Sequence, residues 1–198
     1  MRISQRQYDE IKDDIYYLNM EELVAYFKKY QLPYTIYEAT TDGKPKRTSI
    51  IERKGKLINK LKRFLKGGRV KPTIIPLNVI NHDELVGLTK KSDVYYGQFN
   101  STNKKIIKLL KGLTDDKFKF GAIAVQLAWD LWISGKLVTY EQYAKLWLNK
   151  LERHKKPLKE WAYLTDIGVG VSRDIWKIMR IKKATKVLKI INVVSING

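Results

Sequence analysis

The run Lys44–Lys71, KPKRTSIIERKGKLINKLKRFLKGGRVK, decides how this chain is read. It holds twelve Lys or Arg and a single acid, Glu52. In its second half Leu57, Ile58, Leu61, Phe64 and Leu65 recur at steps of three and four, so they share one face of a helix. Lys56, Asn59, Lys60, Lys62 and Arg63 fall on the other faces. A helix that buries one stripe and shows concentrated positive charge elsewhere suits a polyanion. The plainer alternative is a solvated lysine face.

The whole chain continues this bias. Its 198 residues carry a formal net charge of +19, and 44% are hydrophobic. That composition supports a packed core rather than disorder. Residues 1–72 and 145–198 are the strongly basic parts, and the middle is close to neutral. There is no cysteine, which excludes disulfides and thiolate metal sites and accords with an intracellular protein. The opening MRISQRQYDEIKDD lacks the apolar core of a secretory signal. No stretch approaches the roughly 20 apolar residues of a membrane span, so no membrane partner is expected.

Working back from the basic run, Asp42-Gly43 is a turn signal between two extended segments, Tyr34–Glu38 and Arg47–Ile51, which predicts a short hairpin. Before it, Ser4 and Asn19 are predicted N-caps of helices over 5–18 and from Met20 to about Tyr30. Glu22 completes a capping box with Asn19, and Pro33 stops the second helix. After the run, Gly67-Gly68 ends the helix, and Pro72 and Pro76 mark an extended connector. A short helical turn is expected over 82–89. Helices follow over 100–111, 118–133 and 139–153, the last opened by Thr139 with Gln142 as a capping box. Pro157 is placed to start a helix through about Leu164, and Ser172 to cap a last helix over 173–191. That last helix is expected to turn Ile175, Ile178, Met179, Val187, Leu188 and Ile191 inward. Its basic residues, from Lys177 to Lys189, read as a second polyanion contact, a membrane-surface helix or a solvated face, and the few acids at this end favour a polyanion over the last.

Two segments together resemble a SAP domain. They are Met20-Glu-Glu-Leu-Val-Ala-Tyr-Phe-Lys-Lys-Tyr-Gln-Leu-Pro33 and Lys54-Gly-Lys-Leu-Ile-Asn-Lys-Leu61. Gln31-Leu32-Pro33 stands where the family has Gly-Leu-Pro, and Lys54, Leu57, Ile58 and Leu61 match its K-x-x-L-I-x-x-L helix. The link between them, residues 34–53, is longer than the family's and reads as an inserted hairpin. The resemblance implies duplex DNA binding at the link and the start of the second helix, with Lys54, Gly55 and Lys56 at the contact and Lys60 one turn on. Helix N-termini attract phosphate independently of any family. Lys44, Lys46 and Arg47 on the hairpin, with Arg53 and Arg63, extend the expected nucleic-acid surface. Residues 99–150 are similar, more faintly, to an uncharacterised domain found beside SAP motifs in bacterial proteins, which implies no activity.

No catalytic constellation is evident. His82 and His154 are the only histidines, one beside a predicted surface turn and one in a basic run. No metal-ligand spacing and no phosphate-binding loop occur, so neither metal nor cofactor is expected. Glu38 and Glu52 across the hairpin are the nearest approach to a nuclease pair, and an enzyme is not expected. Gly170-Val-Ser172 fits the turn of a helix-turn-helix, but Asp166 stands where a small residue should pack. Trp129, Trp132, Trp147 and Trp176 sit at helical spacings among aliphatics and are read as core.

The sequence thus predicts a mainly α protein. Residues 1–68 would form a SAP-like helix-extended-helix module with a small β-hairpin, 69–93 a linker, and 94–198 a C-terminal helical bundle. The expected partner is nucleic acid, duplex DNA before RNA, contacted mainly through phosphates. The alternative is an interaction protein, such as a phage or host-defence factor, engaging an acidic or nucleic-acid-containing complex, with the C-terminal bundle meeting a protein partner. A metal-dependent nuclease is the lesser alternative.

Overall fold

The computed structural model of the chain describes residues 2–153 and 159–193. The chain is mainly helical with one small sheet. The helices are α1 (Gln5–Ile11), α2 (Met20–Lys29), α3 (Lys54–Leu65), α4 (Lys104–Gly112), α5 (Ala122–Ile133), α6 (Tyr140–Arg153), α7 (Ala162–Gly168) and α8 (Arg173–Val193). The strands are β1 (Thr35–Glu38), β2 (Lys46–Ile51) and β3 (Thr73–Ile75), in the order β2-β1-β3. None of the described helices is long and apolar enough to cross a membrane.

The chain packs into two units whose boundaries differ from the sequence expectation. One, the terminal unit, comprises Met1–Thr35, Ile50–Pro72 and Lys156–Gly198; the other, the inserted unit, comprises Ile36–Ser49 and Thr73–Lys155. The last helix therefore belongs with the first three, and residues 73–93 belong with the helices that follow them.

In the terminal unit the local signals act as their chemistry dictates. Ser4 and Gln7 form a capping box at α1, and Asn19 and Glu22 form another at α2. The helix predicted over 5–18 is in fact α1 followed by a 3₁₀ turn, Asp14–Tyr17. The α2 end is a Schellman motif. Leu32 N–H donates to the Phe27 carbonyl at 2.8 Å and Gln31 N–H to that of Lys28 at 3.1 Å. Gln31, standing where the SAP family has glycine, takes the left-handed backbone such a cap requires, with φ at 51°. The α3 end repeats the motif through Gly67 and Gly68.

Leu57, Ile58, Leu61 and Leu65 of α3 are fully buried, as their spacing predicts. They share a core with Ile11, Ile15, Leu18, Leu23 and Phe27, and with Ala184, Val187 and Ile191 of α8. Fully burying an aliphatic side chain contributes roughly 1.5–3 kcal/mol. Only the C-terminal half of α8 is buried in this way. Ile175 and Ile178, expected inward, are 60% and 71% exposed, and Ile181 is 59% exposed. Polar ties hold this half of α8 instead. Arg180 pairs with Glu22 and donates to the Tyr17 carbonyl at 3.2 Å, and Lys183 stands 3.9 Å over the Tyr17 ring. Pro157 and residues 194–198 lie outside the described residues.

In the inserted unit the segment read as a linker is built into the structure. Thr73–Ile75 pairs parallel with β1, in the register Ile36↔Thr73, Tyr37↔Ile74 and Glu38↔Ile75. β-branched residues between two prolines make a good short strand, but nothing local reveals its partner. Further on, Tyr96 N–H donates to Val79 O, Val94 N–H to Val138 O and Tyr140 N–H to Ser92 O, each at 2.9 Å. The helical turn expected over 82–89 is absent. α5, the most apolar segment, buries Ala124, Leu127, Ala128, Leu131 and Trp132. Trp132 Nε1 donates to Val94 O at 2.8 Å, and Tyr143 Oη to Ala124 O at 2.6 Å.

Two outcomes follow from these contacts. Gln31→Gly relieves the left-handed strain, which costs roughly 1–2 kcal/mol in an L-residue, and should stabilise the chain by about 1 kcal/mol in urea titration after the entropy glycine adds to the unfolded state. A fragment ending at Pro72 lacks Ala184, Val187 and Ile191, and its far-UV circular dichroism should be that of a largely unfolded chain.

Candidate nucleic-acid interface

The residues expected to meet nucleic acid fall in both units. Arg53, Lys54, Gly55, Lys56, Lys60 and Arg63 belong to the terminal unit, and Lys44, Lys46 and Arg47 to the inserted unit.

On α3, the stripe buried inward leaves the lysines on the flanks with unequal surroundings. Lys54 is drawn inside: its Nζ donates to the Tyr16 carbonyl at 2.7 Å. Burial, and then the Arg180 guanidinium, push this ammonium below its ordinary range, against the opposing pull of Glu160 and Glu22. Lys60 is also internal. It pairs with Glu52, which is only 2% exposed, and donates to the Pro33 carbonyl at 3.3 Å. Lys62 donates to Tyr16 Oη at 3.0 Å and lies 4.1 Å over that ring. Arg53, Lys56 and Arg63 are exposed. Gly55 opens the helix where the Glu160 carboxylate lies close, for a methyl at Gly55 would come within 2.6 Å of Glu160 Oε1. A carboxylate thus already stands at the helix N-terminus where phosphate was expected.

On the hairpin, Thr40 and Asp42 build the turn. Thr40 Oγ1 donates to Asp42 Oδ1 and lies 2.7 Å from the Lys44 carbonyl oxygen, and Lys44 N–H donates to Asp42 Oδ1 at 3.1 Å, while Gly43 takes a φ of 76°. The Thr40 hydroxyl, and then the Lys44 amide, hold the Asp42 carboxyl below the usual range. Lys44, Lys46 and Arg47 beyond the turn are all exposed.

The basic face of the last helix is largely engaged within its own unit. Besides Arg180 and Lys183, Lys186 pairs with Asp14 at 3.1 Å and with Glu10 at 3.7 Å. Asp166, awkward for a helix-turn-helix, accepts from Tyr17 Oη at 2.8 Å and Trp176 Nε1 at 3.1 Å. Apart from Trp176, ten residues from Asp166, these partners lie far apart along the chain, and no local pattern marks them.

The carboxylates weighed for a nuclease have separate roles. Glu52 holds Lys60, whereas Glu38 accepts from Tyr96 Oη at 3.0 Å and lies 3.5 Å from His82 Nε2. Among the described residues no group of three or more His, Asp or Glu side chains is placed to hold a metal ion. Comparison with known families, curated proteins and solved structures gives no match to this chain.

The placement of Lys60 has a measurable consequence. Lys60→Met leaves Glu52 buried without its cation and should destabilise the chain by about 3–5 kcal/mol in urea unfolding, and adding Glu52→Leu should restore most of the loss. Unchanged stability of the single variant would return Lys60 to the surface.

Proposed function

We propose that this chain binds nucleic acid, duplex DNA before RNA, through phosphate contacts made by exposed cations of the 44–71 stretch. The observation that supports this reading is the burial of Glu52. It is the only acid of that stretch, and it is turned inward onto Lys60. The exposed charged side chains of the stretch are therefore all cations, Lys44, Lys46, Arg47, Arg53, Lys56 and Arg63 among them. Exposed cations of this kind, on either unit, attract a polyanion through counterion release and carry little sequence preference. Lys54 and Lys60 act as supports, since each is bonded to the protein interior. The likeness of α2 and α3 to the SAP helices favours the same reading.

A second reading, an interaction protein working within an acidic or nucleic-acid-containing assembly, draws on Ile175, Ile178 and Ile181. These are large, exposed and spaced on one face of α8.

The two part by experiment. For the first, duplex DNA affinity should fall steeply with salt, each phosphate contact adding roughly 0.9 to the log–log slope. Lys46→Glu with Arg63→Glu should weaken binding and flatten that slope by about two. An unchanged affinity and slope in that double variant would refute the assigned surface. Ile178→Asp should leave DNA affinity unaltered under the first reading and abolish protein capture under the second.

A further inference from the structure

The inserted unit contains a second surface that the duplex reading does not use. A cleft of about 340 Å³ is lined by His82, Tyr96, Phe99, Phe120, Trp129 and Trp132. Its wall is rigid. Tyr96, Trp129 and Trp132 pack with ring centroids 5.4–5.6 Å apart, so no ligand fits among these three and only the space they border is open. Tyr96 Oη is bonded to Glu38 and Trp132 Nε1 to Val94 O. Burial, and then the Glu38 bond, raise the Tyr96 hydroxyl's pKa, so it remains a donor. Phe120 and Trp129 are the half-buried rings at the cleft. Trp129 Nε1 has no partner among the described residues, which leaves an indole face with one open donor.

The cleft lies close in the chain to the start of α4. Asn100 and Ser101 line the cleft, and Lys104 follows Ser101 by three residues, at most about 11 Å along the chain. A separate shallow groove of about 420 Å³ lies along α4, lined by Lys104, Ile107, Lys108 and Lys111. At the helical rise of 1.5 Å per residue those lysines span roughly 10 Å. Lys104, Lys105, Lys108 and Lys111 are exposed, and none forms an ion pair among the described residues. Asp116 is the single acid lining the groove.

We propose that this track binds single-stranded nucleic acid, with one unpaired base in the aromatic cleft and the adjoining phosphates along the α4 lysines. A positively charged groove joined to a stacking platform is how single strands are held without sequence preference. A duplex would have to unstack a base to use the cleft. Polyglutamate matches the lysines but has no aromatic group to stack on the rings. The proposal uses none of the residues of the duplex reading and does not rest on it.

The test uses the full chain and its tryptophan fluorescence. Thymine-bearing deoxy and uracil-bearing ribo oligonucleotides of about twelve residues are titrated beside abasic phosphodiester chains of the same length, at one low salt. The base-bearing strand should quench the fluorescence and bind about tenfold or more tighter than its abasic counterpart, in whichever sugar series is recognised. Trp129→Leu should erase that difference while leaving abasic binding intact. Lys104→Glu with Lys108→Glu, both solvent-exposed, should weaken base-bearing and abasic chains together. Equal affinity for base-bearing and abasic chains in both series overturns the proposal, as does displacement by polyglutamate as effective as by oligonucleotide. The first comparison needs no variant, so a folding failure of Trp129→Leu does not blunt it. Should duplex DNA bind while the single strands show no base dependence, this inference fails and the duplex reading stands.

Discussion

The burial of Ala184, Val187 and Ile191 of α8 with the apolar stripe of α3 is the contact on which the terminal unit depends. Residues 1–72 alone offer α3 only part of a core. Their three short helices bring Ile11, Ile15, Leu18, Leu23 and Phe27, and α8 closes what remains. The closure is directional, because hydrophobic contact alone would let a helix slide. Arg180 on Glu22 and Lys186 on Asp14 and Glu10 fix its register. Each pair is partly exposed and modest by itself, yet each excludes a one-turn shift that would strand a charge.

Positive charge on this chain therefore has two fates. Lys54, Lys60, Lys62, Arg180, Lys183 and Lys186 serve as structural donors to carbonyls, rings and acids of their own unit. The cations of the hairpin, the outer flank of α3 and α4 project outward. Sorting them this way matters more than the total of +19, because under the proposed function the exposed cations of the second group are the ones that would meet phosphate.

Local chemistry made much of the fold legible. Both capping boxes, the Thr139–Gln142 box, the Asp-Gly turn and the α3 stripe depend on residues within a few positions of one another. The failures are non-local. Val70 to Pro76 reads as a connector because the strand that pairs with Thr73–Ile75 lies far upstream. Lys54 looked like a phosphate ligand because its acceptor, the Tyr16 carbonyl, carries no side-chain signature. Ile175 and Ile178 fit an amphipathic pattern but meet no core, since Arg180 and Lys183 secure that half of α8 by polar contacts. Trp129 read as core along with Trp132 and Trp147, yet it is only half-buried and borders open space.

The discontinuous terminal unit also sets an order of events on the ribosome. The inserted unit is complete once Lys155 has emerged, whereas the terminal unit still lacks α8. At typical synthesis rates of 5–20 residues per second, the apolar stripe of α3 waits roughly 6–24 s for Val187 and Ile191 to reach it. The first-made part of the chain is thus the last to become native. During that interval Leu57, Ile58, Leu61 and Leu65 have only the part of their core that residues 11–27 supply.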